Sequence, residues 1–225
     1  MPTVKLSFSR AVWAIVSKDA VCEIRTKYAA GALAMFALTA LASVSLSLSG
    51  AALTPALAAA LLWVVLFFCA MTGLSRVFIQ EQEAGTLPGL RLCAPGPVVF
   101  WGKLLFNLLL LTGLTLLVVP LFIIFFNAAV EQWPAFIMIL VLGDTGIAAV
   151  ATLTAAMVLP AQGKHTIFTV LTFPVLLPQF LSAIGATALV LDGGMPDGSV
   201  LLFMAGYDAA VMAAGILLFD YLWQA

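Results

Sequence analysis

Long apolar runs alternate with short polar breaks along the 225 residues. A membrane-spanning helix needs about 20 mostly apolar residues. Six runs qualify, at roughly 28–49, 54–76, 98–126, 133–159, 164–190 and 199–222. They are continuous runs rather than alternating ten-residue segments, which excludes a β-barrel. Helices are the other way to satisfy backbone polar groups in lipid. The pattern therefore predicts an all-α polytopic membrane protein, one membrane domain over 1–225. It comprises an N-terminal interfacial helix in 1–27, a six-helix transmembrane bundle over 28–222, and a cytoplasmic segment at 77–97.

The breaks differ in charge. Lys5, Arg10, Lys18, Arg25, Lys27, Arg76, Arg91, Lys103 and Lys164 fall in every second one. The others hold Glu131, Asp192 and Asp197 and no base. Lys and Arg are retained in the cytoplasm during insertion, so both chain ends are expected inside. Trp101, Trp133 and Trp223 fall at predicted span ends, as in an aromatic belt, whereas Trp63 is mid-span and reads as a packing residue. Ala148, Thr152 and Ala156 repeat every four residues, as do Ala205, Ala209 and Ala213. Such stripes let helix backbones approach closely.

Composition narrows the function. The chain is 64% hydrophobic and 8% charged, where soluble domains carry about 25% charge. Its net charge of −1 argues against nucleic-acid binding. The spans leave no room for a soluble catalytic domain, and no cleavable signal peptide precedes the first apolar run. Cys22, Cys69 and Cys93 all avoid the outer face, so no disulfide is expected.

Two segments outside the spans carry information. In 6–27, Trp13, Val16, Ala20 and Ile24 share one helical face, with Lys18, Cys22 and Arg25 opposite. This reads as a helix lying on the inner leaflet. The segment 77–97 holds Glu81, Glu83 and Arg91. A helical turn over Gln80 to Ala84 ends near Gly85, and a Pro/Gly-rich turn follows at Pro95–Pro97. Pro174 and Pro178 sit one turn apart in the fifth span, so that helix is expected to kink or break.

Enzyme constellations are largely missing. His165 is the one histidine, at the inner end of the fifth span, and reads as an interfacial residue. No Cys/His group has zinc spacing. Gly96 to Leu104, GPVVFWGKL, puts five residues between its glycines and lacks the Ser or Thr of a P-loop, so ATP binding by that route is excluded. Asp144 and Asp208 fall inside spans, where an ionised acid costs about 2.5–3.5 kcal/mol on insertion scales. Each is read as an acid hydrogen-bonded between helices, with Thr145 a candidate partner for Asp144; a proton relay is the alternative. Two acids before a glycine break, in EQEAGTL from Glu81, suit a permease loop that docks on a separate motor.

These residues also carry a resemblance. The run RVFIQEQEAGTLPGLRLCAP from Arg76 to Pro95, followed by FWGKLLFN from Phe100 to Asn107, resembles CcmB, the permease subunit family of the haem exporter in cytochrome c maturation. The matching positions are Glu81, Glu83, Gly85, Leu87, Leu90, Ala94, Pro95, Gly102, Lys103 and Asn107. Lys18-Asp19 with Glu23, Arg25 and Lys27 is similar to the family's opening helix. Phe173-Pro174 with Leu177-Pro178 is similar to its fifth span. Asp144 and Pro88 depart from the pattern.

The resemblance implies a type-2 ABC exporter permease in a bacterial inner membrane, itself not an enzyme. A separate ATPase, CcmA, would carry the ATP. CcmC, CcmD, transiently CcmE, and a second copy of the chain would be partners besides the lipid bilayer. Haem would be a handled ligand, with no cofactor or metal bound by this chain. Glu81, Glu83, Gly85, Thr86 and Leu87, with Lys18 and Arg25, would contact the ATPase. ATP hydrolysis would drive haem export or release of the loaded chaperone. A non-transporting scaffold and a secondary transporter are the competing classes. The second needs an internal repeat, and residues 28–126 and 133–222 show no convincing one.

Overall fold

The computed structural model describes residues 7–25, 28–48, 51–74, 81, 85–158 and 164–224, with 28–30, 164–166, 220 and 222–224 described by backbone only. Eight helices are present among them: α1 Phe8–Arg25, α2 Tyr28–Ser47, α3 Pro55–Leu74, α4 Leu87–Cys93, α5 Gly96–Phe126, α6 Trp133–Val158, α7 Lys164–Leu191 and α8 Gly198–Gln224. No strand occurs among the described residues. The helices end where local chemistry stops them. Thr54 receives the Leu57 N–H on its hydroxyl at 3.4 Å, ahead of Pro55 in the first turn of α3. Asn127 closes α5 in the left-handed region at φ 46°, a residue type that tolerates it.

Five helices, α3 and α5–α8, are long and apolar enough to cross a membrane. The remaining predicted span, the first at 28–49, corresponds to α2, whose fully described portion, Gly31–Ser47, is shorter. The radial distribution of polarity is that of a membrane protein. Leu116, Ile124, Val170, Leu202 and Leu217 point outward, while Lys103, Asn107, Asp144, Thr152, Gln179 and Asp208 are buried inside. Water would favour the reverse arrangement; lipid favours this one.

The helix α6 is the bundle's centre, packed against α5, α7 and α8, with α3 against α7. Lipid supplies no hydrophobic drive between helices, so close fit and polar bonds hold them. Small residues on α6 supply the fit. Ala148, Thr152 and Ala156 are buried, as the stripe predicts. Gly143 leaves a notch filled by the Trp63 ring: a β-carbon there would lie 2.0 Å from its Cη2. Trp63 is fully buried, and its Nε1–H donates to Thr187 Oγ1 at 2.9 Å. The second stripe behaves differently. Ala205, Ala209 and Ala213 face outward, because α8 buries the neighbouring face of Met204, Asp208, Val211 and Phe219.

The helix α7 continues through Pro174 and Pro178, so the break offered as one outcome by the sequence does not occur. Side chains bond to carbonyls of this stretch: Tyr207 donates its hydroxyl to Val175 O, and Ser182 donates to Pro178 O at 2.9 Å. In the mid-bundle, Asp144 accepts from Thr115 of α5 at 3.1 Å. Thr145, expected to serve it, donates instead to Val141 O at 2.7 Å. A threonine in a helix reaches the preceding turn more readily than its sequence neighbour.

Candidate functional site

The bundle end that carries the basic residues is built around α1. Its buried face is Val12, Ile15, Val16 and Asp19, which share one side at helical spacing. The face expected from the sequence, Trp13 with Val16, Ala20 and Ile24, is not the packing face; Trp13 and Ile24 are both 66% exposed. The roll of the helix is set by its contact with α5. At Gly102 a β-carbon would lie 2.8 Å from Ile15 Cβ, so the two backbones approach as closely as glycine allows. That seating places Asp19, one turn beyond Ile15, over Lys103.

Glu81 completes the site from the segment between α3 and α4. Its backbone carbonyl accepts the Thr86 N–H at 3.0 Å, and Gly85 sits at φ +66°. This bond across five residues, with a left-handed glycine inside it, is a helix C-terminal closure. Of the turn predicted over Gln80 to Ala84 only Glu81 lies within the described residues, and its side chain faces inward.

Four charges then close a ring. Lys103 Nζ meets Asp19 Oδ2 at 2.9 Å and also pairs with Glu81 Oε1. Lys18 pairs with the same Glu81 oxygen and meets Asp19 Oδ1 at 3.2 Å. Cation and anion alternate all the way round, and the ring is neutral. Lys103 is fully buried, Asp19 and Glu81 nearly so, and Lys18 is partly open to solvent. A buried lysine needs such company, since an unpaired ion in low dielectric is costly.

Burial alone would push the Glu81 carboxyl up, but Lys103 and Lys18 together hold it below the usual carboxylate range. For Lys18, burial pulls the ammonium down, and Glu81 and Asp19 outweigh it, leaving it raised. Three elements distant in sequence, α1, the connector after α3 and the first turns of α5, are thus held at one point. Asn107, one turn further along α5, extends the polar contact to α6 by donating to Thr152 Oγ1 at 2.8 Å.

The residues expected to meet a partner separate into two groups. Glu81 and Lys18 are engaged with the chain's own charges, because two cations lie within reach of one carboxylate. Gly85 and Thr86 are exposed, Leu87 is half-buried, and Arg25 is exposed at the end of α1. Glu83 lies outside the described residues, and the side chain of His165 is likewise not described. The helix α4 buries none of its residues, and its Leu92 is 89% exposed. Asp19 and Lys103 were the residues that sequence reasoning did not single out for this site. The available signal was a lysine inside the apolar run 98–126, which demands an acid.

Among the described residues no group of three His, Cys, Asp or Glu side chains is placed to hold a metal ion. No curated protein matches the chain. The family model described as CcmB protein matches residues 10–219, an extent that includes α1 from Arg10, the whole ion ring and the spanning helices as far as Phe219 of α8. The chain belongs to the CcmB family, the permease component of the ABC-type haem exporter of cytochrome c maturation.

Proposed function

We propose that this chain converts ATP hydrolysis by a separate ATPase into movement of its own spans, driving haem delivery or release of a haem-loaded chaperone. The observation that carries the proposal is the ion ring. It links the loop that ends in α4 to both α1 and the base of α5 through buried charges. A push on α4 therefore reaches α5 by contacts that are strong at short range and weak once separated. The helix α4, with Leu92, Arg91 and Cys93 at its surface, is the element that would seat in the ATPase. Glu81 would act behind it, as the joint between the docked helix and the spans, rather than at the surface itself.

The basic end is the cytoplasmic one in this reading, since charge retention orients the chain. Both termini and the ATPase then share a side, and the membrane is the bacterial inner membrane. Leu92→Asp tests the docking half. At equal membrane levels of the chain, it should abolish co-purification of the ATPase and cytochrome c formation together. Retained ATPase binding in this variant would remove α4 from the interface.

A further inference from the structure

The middle of the bundle contains a polar pair that the ion ring does not explain. Asp208 of α8 is 2% exposed and Gln179 of α7 is 1% exposed. Gln179 Nε2 donates to Asp208 Oδ1 at 3.0 Å and to the Leu142 carbonyl of α6 at 3.2 Å. The pair lies across α6 at Gly146, where a β-carbon would come within 2.7 Å of both Asp208 Oδ1 and Gln179 Cγ. Glycine at this position is what allows side chains from α7 and α8 to meet over the intervening helix.

Two atoms of the pair, Asp208 Oδ2 and Gln179 Oε1, have no hydrogen-bond partner though both are buried. Both are acceptors, so neither satisfies the other as drawn. Exchanging the amide's oxygen and nitrogen would not help, because it sets an acceptor against the acid's Oδ1. A hydrogen on Oδ2 would supply the donor that the pair lacks. Given to the amide oxygen, while the amide N–H donates to the acid's other oxygen, it would close a reciprocal acid–amide ring.

We propose that Asp208 and Gln179 form a proton-binding site that joins α7, one residue past its second proline, to α8 across Gly146. The charged and titratable neighbours do not compete for this role. Asp144 on α6 turns to Thr115 of α5, and Tyr207, the residue before Asp208, donates its hydroxyl to Val175 O of α7. Tyr207 and Asp208 are consecutive and both bond α7 near Pro178, so the proton completes a clamp on that proline-bearing stretch. An ionised Asp208 leaves Gln179 Oε1 without a donor and loosens the clamp.

Infrared difference spectroscopy of the full chain in lipid bilayers at neutral pH tests this directly. A carboxylic-acid carbonyl band should be present, lost in Asp208→Asn and kept in Asp144→Asn. Absence of any band assignable to Asp208 overturns the proposal and leaves a water or cation as the missing partner. Gln179→Leu provides a second test that does not alter the acid: the band should persist and move to higher frequency as its acceptor is lost, and an unmoved band overturns the pairing. Asp208→Asn offers the same two hydrogen bonds without a proton, so its thermal stability should match the wild type, whereas Asp208→Ala should be less stable. Equal loss in both variants contradicts the reciprocal ring.

Discussion

Gly102 of α5 and Ile15 of α1 touch so closely that a β-carbon on the glycine would fall 2.8 Å from that of the isoleucine. This contact positions Asp19 against Lys103, and the ion ring depends on it. Gly102→Ala should displace α1 and cost about 1–3 kcal/mol, the usual range for overpacking a fitted contact. The double variant with Ile15→Ala removes the obstructing atoms beyond Cβ and should recover part of the loss. Thermal unfolding in detergent checks both, and a stability unchanged by Gly102→Ala would show that the two helices are not in this register.

Lys103 is the buried cation shared by two acids. Lys103→Met should cost about 3–5 kcal/mol, because breaking a buried pair strands its partners. Asp19 and Glu81 would then face each other with Lys18 alone between them. Proteolysis of membranes reads the local effect: α1 should become susceptible to cleavage before the spans do. Unaltered protection of α1 would mean that the ring is not what holds it.

The ring's pH dependence follows from the two shifted groups. Glu81 is held below the carboxylate range despite its burial, by Lys103 and Lys18. Its stabilising contribution is present above the unfolded value of about 4.3 and is lost as pH falls through the lower folded value. Lys18 is raised despite its burial, by Glu81 and Asp19. Its contribution is complete below about 10.4 and is lost as pH rises through the folded value. Hydrogen exchange of α1 amides, corrected for intrinsic rates, should therefore give a protection factor that is flat between about pH 5 and 10 and falls outside those limits. A step near neutrality would require a different titrating group.

Gly143 and Trp63 make the closest approach of any described glycine, with a β-carbon on the glycine placed 2.0 Å from the indole. Gly143→Ala should force the ring from its slot and break the bond to Thr187, costing about 1–3 kcal/mol. Tryptophan fluorescence should shift as the ring moves. An unchanged spectrum and melting temperature would contradict the packing of α3 on α6.

The spans were readable because lipid demands long apolar runs, and the helix ends that have described residues on both sides, at Pro55, Gly96, Phe126, Trp133, Leu191 and Gly198, lie within two residues of those read from the sequence. The turn closing at Gly85 was readable because its signal is local: glycine alone takes that φ cheaply. The packing face of α1 was not. Its apolar residues lie on two sides, and the choice between them is made by Gly102, more than 80 residues away. The inward turn of Glu81 was hidden for a similar reason. An acidic run before a glycine suits a solvent-facing loop and an ion pair equally well, and only the meeting with Lys103 decides. Asp144 and Asp208 are buried in α6 and α8, but Thr115 and Gln179 as their partners required the three-dimensional packing of α5 to α8.

The central claim is that Glu81 is the joint between the docked loop and the spans, and one measurement addresses it most directly. Glu81→Gln keeps the side chain's shape and removes its charge. Cytochrome c formation and ATP hydrolysis should be measured together in cells and in purified complex, at equal membrane levels of the chain. The expected result is an intact complex that still hydrolyses ATP while cytochrome c formation falls at least about tenfold, the change produced by roughly 1.4 kcal/mol of lost coupling. Cytochrome c formation equal to the wild type would contradict the account.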